Sequence, residues 1–289
     1  MNREDALKMS DNALQDLAQA LKEGKSDKLV EYLGMLSRFH QYSFGNCIMI
    51  YMQRPDATFV AGFGRWKELN RFVKKGEKGI AILAPMVGKR KKESDSSKSS
   101  QSKEDVASRD SKVLFGFRVV HVFDVSQTEG QELPNFAALN GDPGDRIQRL
   151  EQIVRNHGIE LEFAENLPHG SNGMSEGGKI TISAKLPKPQ MFSTMVHELA
   201  HEQLHWGDRR ESTSKAVRET EAEAVAYVVC RAVGFECSTR ASDYIQLWSG
   251  DDKILLQSLE LIRTVASKII ADLESDQVDQ ETQEVAHVA

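Results

Sequence analysis

The chain has 289 residues, 40% of them hydrophobic and 28% charged, a composition typical of a soluble globular protein with one large domain or two ordinary ones. No apolar run approaches the roughly 20 residues that a membrane-spanning helix needs, and the N-terminal stretch MNREDALKMSDNALQDL lacks the apolar centre of a secretory signal. Three cysteines without metal-type spacing predict no disulfide framework, so we expect a cytoplasmic protein with no membrane partner.

The charge is unevenly distributed along the chain. The net charge is −6, but residues 1–135 hold 22 Lys/Arg against 18 Asp/Glu, while residues 136–289 hold 15 against 25. Within the first part, residues 54–92 contain 11 basic and 3 acidic side chains. A basic segment in an acidic protein indicates a local anionic partner.

The N-terminal part is predicted to contain helices followed by two strands. Apolar residues recur at three- and four-residue steps over the first ~38 residues and predict helix, with Gly24 separating its two halves. Residues 79–86 and 113–125 have the apolar and β-branched content of strands. Between them, residues 88–112 contain no aromatic residue and consist mainly of Ser, Lys, Arg, Asp and Glu, so we predict a disordered insertion.

The C-terminal part is predicted to be mainly helical with a short sheet. The predicted elements, after a turn-rich linker at 126–146, are a helix at 143–157, strands at 158–165 and 177–183, a helix after Pro187, and helices at 214–234 and 251–273. The acidic tail after residue 274 is predicted to be disordered.

The stretch MVHELAHEQLH, residues 195–205, contains the pattern HExxH. On a helix, residues four apart lie about 6 Å apart on one face, so His197 and His201 can bind one ion. Glu198 then faces the water that completes the metal's coordination and can take its proton as a general base. His205 lies about 12 Å along the axis from His197, too far to bind the same ion, and is predicted to be a partly buried helix histidine.

A third metal ligand is expected from the downstream stretch RETEAEAVAYVV. Glu219 and Glu223 are four residues apart and share a helix face, whereas Glu221 points roughly the opposite way. We choose Glu219 as the ligand and expect Glu223 to hydrogen-bond a histidine ring. Periodicity alone leaves Glu223 and Glu221 open as ligands.

The predicted donor set suits zinc. Two histidines and one carboxylate leave a fourth position for water, the arrangement of catalytic zinc sites. We therefore predict one Zn²⁺ per chain, although other divalent metals bind similar sets.

A basic, aromatic segment follows the first helices. In RPDATFVAGFGRWKELNRFVKKGEKGIAIL, basic side chains alternate with flat rings, as in proteins that pair with phosphates and stack on unpaired bases. The residues predicted to bind DNA are Arg65, Trp66, Lys67, Arg71, Lys74, Lys75 and Lys78. The alternative is a charged hairpin turn, with Trp66 and Phe72 in the core.

Both halves resemble a known family. YSFGNCIMIYMQRPDATFVAGFGRWKELNRFVKKGEKGIAILAP and GFRVVHVFDVSQTEGQELP resemble the N-terminal domain of ArdC-like antirestriction proteins, which implies binding of single-stranded DNA. MVHELAHEQLHW and RETEAEAVAYVV are similar to the zincin-type metallopeptidase domain of that family and to ImmA/IrrE-type peptidases. The gluzincin pattern Glu-x-x-small-acid falls on residues 219–223 and implies Glu219 as ligand. The insertion at 88–112 departs from the shorter hairpin usual in the family.

These observations predict an α+β chain. A small α+β DNA-binding domain with a helical N-terminus is expected over residues 1–135, a mainly helical zincin-like domain with a short sheet over 136–274, and a disordered tail over 275–289. The expected function is a zinc metallopeptidase coupled to a single-stranded-DNA-binding domain, with a protein or peptide substrate. The alternatives are a non-catalytic protein that shields single strands and has a structural or vestigial metal site, and a regulatory peptidase that acts on one repressor.

Overall fold

The structure is a computed structural model that describes residues 2–25, 27–89, 112–132, 143–235 and 252–275. The helices in these ranges are α1 (Arg3–Lys22), α2 (Asp27–Phe39), α3 (Phe44–Gln53), α4 (Phe63–Glu68), α5 (Pro143–Asn156), α6 (Lys188–Leu204), α7 (Gly207–Ser212), α8 (Lys215–Ala232) and α9 (Asp252–Glu274). The strands are β1 (Val60–Gly62), β2 (Arg71–Val73), β3 (Ile80–Lys89), β4 (Lys112–Asp124), β5 (Thr128–Gly130), β6 (Glu160–Ala164), β7 (Gly173–Ser175) and β8 (Lys179–Ser183).

The strands form three small sheets. In the N-terminal part, β3 and β1 both pair antiparallel with β4, and β2 pairs with β5 in a separate ribbon. In the C-terminal part, β8 lies between β6, which is parallel to it, and β7, which is antiparallel. The edge position of β7 places it beside α6, the helix that carries HExxH.

Local side-chain contacts fix how the N-terminal elements begin and where they lie. The Asn2 side chain forms a capping box with Asp5 at the start of α1, and the Ser43 hydroxyl accepts a hydrogen bond from the Asn46 amide at the start of α3. The Asn46 side chain also bonds the backbone N–H and C=O of Leu83, at 2.9 Å each, which ties α3 to β3.

The helices of both halves share one continuous apolar core. α2 packs against α8, and α1 and α3 pack against α9. Leu33 and Leu36 of α2, Val228 of α8 and Ile262 of α9 are all fully buried members of the same cluster. α8 is therefore held from one side by the N-terminal helices and from another by α6.

The predicted α+β class is confirmed, and the predicted helices and strands correspond to α1, α2, β3, β4, α5, β6, β8, α6, α8 and α9. Helix α3, which lies within the stretch YSFGNCIMIYMQRP, was not predicted. The short elements α4, β1, β2, β5, β7 and α7 were not predicted, because three to six residues carry too little periodicity.

Several sequence predictions fall outside the described residues. Most of the 88–112 insertion and most of the acidic tail lie there, as does the predicted domain boundary at 135/136. The division into two domains therefore stays a prediction. Within the described ranges, no helix combines the length and the apolar character needed to cross a membrane.

Candidate metal centre

Helix α6 presents the HExxH side chains from an apolar support. Pro187 precedes the helix and Pro189 lies in its first turn. Backbone N–H groups at these positions have no partner within a helix, so proline, which lacks an N–H, removes no hydrogen bond there. Met195, Val196 and Leu199 are fully buried and anchor the helix in the core. The histidine face then points toward α8.

Three ligand atoms from two helices converge. His197 Nε2 and His201 Nε2 lie 3.1 Å apart. Glu219 Oε2 on α8 lies 3.5 Å from the first and 3.6 Å from the second. These residues form the one group among the described residues in which three or more His, Cys, Asp or Glu side chains could hold a metal ion together.

The spacing of the three atoms fits a tetrahedral ion. Bonds of 2.0–2.1 Å with tetrahedral angles separate neighbouring ligand atoms by roughly 3.3 Å, close to all three separations. Two imidazole nitrogens and one carboxylate oxygen are also the donors that a catalytic zinc site uses. The arrangement can hold a metal ion, and the identities of the individual ligands and of the metal remain predictions.

The carboxylates of Glu219 and Glu223 favour positive charge beside the two histidines. Glu223 Oε2 lies 3.4 Å from His197 Nδ1, on the side of the ring away from His201. Burial lowers the pKa of His197, but hydrogen bonds with Glu219 and Glu223 outweigh it and raise the pKa to about 9. Hydrogen bonds from His197 and then from His201 lower the pKa of Glu219 well below its usual range. The site thus favours a cation between these side chains.

Glu198 lies beside the candidate ligands and is almost inaccessible to solvent. The residue is 8% exposed, and burial is the main cause that raises its pKa above the ordinary glutamate value. Strand β7 passes directly over it: a Cβ atom on Gly173 would lie 2.7 Å from Glu198 Oε1 and 2.7 Å from Thr194 Cγ2. Only a glycine leaves room for the carboxylate in this position.

Glu221 lies on the opposite side of α8 from the three converging atoms, as its position on the helix predicts. It is fully buried, its Oε2 lies 2.9 Å from His205 Nε2, and its Oε1 accepts a hydrogen bond from Arg209. The alternative in which Glu221 is the metal ligand does not fit this geometry. His205, predicted to be a partly buried helix histidine, is the C-cap residue of α6, and its side chain is fully buried.

The predicted DNA-binding residues lie on α4, β2 and the turn after β2. Lys67, Lys75 and Lys78 are exposed and, in the part of the chain that the structure describes, make neither an ion pair nor a side-chain hydrogen bond. The other three cations have internal partners: Arg65 pairs with Glu68, Arg71 donates to Thr128 and Gln131, and Lys74 donates to the Ser126 carbonyl.

Trp66 does not lie on this surface. Its side chain is fully buried, its Nε1–H donates to the Phe123 carbonyl at 2.9 Å, and its ring meets Phe59 edge to face. The prediction that Trp66 contacts DNA is therefore wrong, because the ring packs in the core and its N–H donates to a backbone carbonyl there. The rings that do face solvent beside the lysines are Phe63, 60% exposed, and Phe72, 55% exposed.

Comparison with known proteins supports the resemblance drawn from the sequence. Residues 11–123 match the family model described as the N-terminal domain of anti-restriction factor ArdC. The N-terminal part of this chain is therefore similar to the N-terminal domain of ArdC. An uncharacterized protein of Bacillus anthracis is 23% identical over 287 residues, which cover 86% of this chain and 47% of that protein. This chain thus spans about half the length of this curated relative.

Two solved structures are also similar to this chain. The metal-free crystal structure of antirestriction protein ArdC from plasmid R388 shares 16% identity and covers 80% of this chain and 85% of its own, with a TM-score of 0.45. The Mn(II)-bound structure of the same protein shares 16% identity and covers 85% and 97%, with a TM-score of 0.43.

Sequence reasoning missed two residues beside the candidate metal centre. Gly173 lies in a three-residue strand with no motif, so no local signal could have identified it. His205 did carry a signal, since it continues the four-residue histidine spacing. Its hydrogen-bond partner, Glu221, is 16 residues away, and only the packing of α6 on α8 brings the two together.

Proposed function

We propose that this ArdC-like chain is a zinc metallopeptidase of the gluzincin kind, coupled to a region that binds single-stranded DNA, and that it acts in antirestriction. The observation that carries the catalytic part is the convergence of His197, His201 and Glu219 at tetrahedral spacing beside the buried Glu198. A purely structural site would have no use for a carboxylate next to an open position.

Each side chain has one task in the proposed reaction. His197, His201 and Glu219 hold the ion, and Glu223 orients the His197 ring through its other nitrogen. When bound, zinc polarises the peptide carbonyl and lowers the pKa of water toward ~7. Glu198 accepts the proton of the water that attacks the carbonyl carbon, then delivers a proton to the departing amine as the C–N bond breaks.

We propose that the substrate adds to the edge of the C-terminal sheet. Strand β7 pairs with β8 on one side only among the described residues, and it passes over Glu198. An extended peptide that pairs with the other side of β7 would place a backbone carbonyl beside the proposed ligands. Backbone pairing of this kind selects an unfolded or extended segment of a protein rather than one particular side chain.

The N-terminal region is proposed to bring this activity to DNA. Exposed Lys67, Lys75 and Lys78 can pair with phosphates, and the Phe63 and Phe72 rings can stack on splayed bases. A single chain that holds both a DNA strand and a peptide site raises the effective concentration of the peptidase near DNA-bound proteins. In this proposal residues 1–135 supply the DNA contacts and residues 136–274 the hydrolysis.

The Glu198→Gln variant tests the catalytic proposal. The amide keeps the shape of the carboxylate but cannot accept a proton, so hydrolysis of a fluorogenic peptide library should fall by about 10²–10⁴-fold. Zinc content, measured by mass spectrometry, should stay at one ion per chain because Glu198 is not a ligand. Glu211→Gln, the same change at an exposed position on α7, is the matched control and should cleave as the unaltered protein does.

Two outcomes would contradict the catalytic proposal. Turnover in Glu198→Gln equal to that of the unaltered chain would remove the mechanism. A metal-loaded chain that cleaves no library member, yet shields a single strand from nuclease both with and without its metal, would instead assign the alternative function of a non-catalytic DNA-binding protein.

A further inference from the structure

A chain of buried hydrogen bonds runs from the metal centre into the core behind it. His201 turns Nε2 toward the metal position, and its other ring nitrogen, Nδ1, lies 3.0 Å from His205 Nδ1. His205 Nε2 in turn lies 2.9 Å from Glu221 Oε2. The side chains of His205 and Glu221 are both fully buried, so water does not compete for these bonds.

Glu221 is fixed at the far end of this chain by groups from two other elements. Arg209 of α7 pairs with its second oxygen, and Ser258 of α9 hydrogen-bonds it. A carboxylate that faces a guanidinium only accepts hydrogen bonds. His205 must therefore donate from Nε2.

The position of one proton then determines the others. A neutral His205 that donates from Nε2 has a lone pair on Nδ1 and accepts there. His201 must donate from its own Nδ1, and a neutral His201 protonated at Nδ1 keeps the lone pair of Nε2 free for an ion. Every other arrangement leaves two hydrogens or two lone pairs facing each other in a buried space, or a proton on the nitrogen that should bind metal.

We infer that His205 is a positioning residue of the metal centre, which with Glu221 holds His201 in the tautomer and ring orientation that bind the ion. His205 does not touch metal or substrate. His205 lies between the Glu221 carboxylate and the proposed ligand His201. Glu223, in contrast, contacts the proposed ligand His197 directly. This inference rests on the proposed metal centre and assigns the third histidine of HExxHxxxH.

Zinc affinity of the full-length chain separates this role from simple packing. His205→Phe preserves the ring volume but neither donates nor accepts, so zinc should bind about 10- to 100-fold more weakly, as found when a ligand loses its hydrogen-bond partner. His205→Gln offers an oxygen toward His201 and an amide N–H toward Glu221, and should restore most of the affinity. His157→Phe is the control, because exposed His157 has a hydrogen bond with Gln203 of α6 and lies outside the chain of bonds.

The measurement is a competition titration of the metal-stripped protein against a fluorescent zinc chelator. If His205→Phe binds zinc as tightly as the unaltered protein, the inference is overturned while the proposed metal centre stands. If the unaltered protein binds no zinc, both fail together. A His205→Gln variant that is as weak as His205→Phe, with unfolding by circular dichroism unchanged, would show that the hydrogen bonds are not what matters.

A measurement on the unaltered protein avoids any dependence on variants that fold. Long-range ¹H–¹⁵N NMR of the zinc-loaded chain should show the proton on Nδ1 of His201 and on Nε2 of His205. A neutral His205 protonated at Nδ1 would overturn the inference, since that hydrogen would face His201 instead of Glu221.

Discussion

Two aromatic residues of α4, three positions apart, lie in opposite environments. Trp66 is buried and hydrogen-bonded to the Phe123 carbonyl, whereas Phe63 is 60% exposed. Truncation of Trp66 leaves a cavity in the core, so Trp66→Ala should lower the free energy of unfolding by about 3–5 kcal/mol. Urea unfolding followed by circular dichroism measures this loss, and a loss near zero would mean that the ring is not part of the core.

Phe63→Ala should leave stability unchanged but weaken the binding of DNA. Its free energy of unfolding should stay close to that of the unaltered chain, while affinity for a labelled oligo-dT strand, measured by fluorescence anisotropy, should fall by about 1–3 kcal/mol because one stacked base is lost. Phe163→Ala, an equally drastic change at a 40% exposed ring of the C-terminal sheet, should bind the strand normally. Equal affinities for all three proteins would remove Phe63 from the proposed DNA surface.

At the scale of an element, the short strand β7 decides where Glu198 can lie. Gly173→Ala would put a methyl group within 2.7 Å of both Glu198 Oε1 and Thr194 Cγ2. The carboxylate must then move, and a displacement of about 1 Å at a catalytic group can cost on the order of 10²-fold in rate. We expect a fall of that order in kcat against the fluorogenic library, with zinc content unchanged.

Gly34→Ala is the matched control for this change. A Cβ atom there meets nothing within 4 Å, and Gly34 lies in helix α2, where alanine is the better helix former. Its peptidase activity should equal that of the unaltered protein. A fully active Gly173→Ala variant would show that β7 and Glu198 are not held against each other in solution.

At the scale of the whole molecule, the helices that carry the candidate metal centre and the N-terminal helices share a core. Helix α8 carries Glu219 and packs on both α6 and α2, and α9 packs on α1 and α3. A metal bound only by the folded state stabilises everything that unfolds with it. Removal of zinc with a chelator should therefore lower the midpoint of one common thermal transition, recorded alike by circular dichroism and by tryptophan fluorescence.

Two separate transitions, only one of which responds to the chelator, would contradict this prediction. That result would mean that the proposed division between residues 1–135 and 136–274 is also a division in stability. The continuous core predicts instead that the two regions unfold together, because separating them would expose the apolar faces of α2 and α8 to water.

The sequence alone predicted more about the placement of residues at the candidate metal centre than in the basic segment. The histidine pair, Glu198 and the preference for Glu219 over Glu221 follow from the helical repeat, since residues four apart must share a face wherever the helix lies. The long helices and strands were predictable for the same reason. In the basic segment the pattern identified alternating basic and aromatic side chains, but it could not tell which ring of α4 faces inward.

The sequence by itself determined the chemistry available at the candidate centre: two imidazoles, a carboxylate base and an acidic helix start at fixed spacings. Tertiary structure alone decided that the Glu219 face of α8 packs against the histidines of α6, that β7 leaves room for Glu198 only through Gly173, and that His205 meets Glu221. The physical reason is that helical spacing is local, a property of 3.6 residues per turn. The contacts between α6, α8 and β7 depend instead on how apolar faces far apart in sequence pack together.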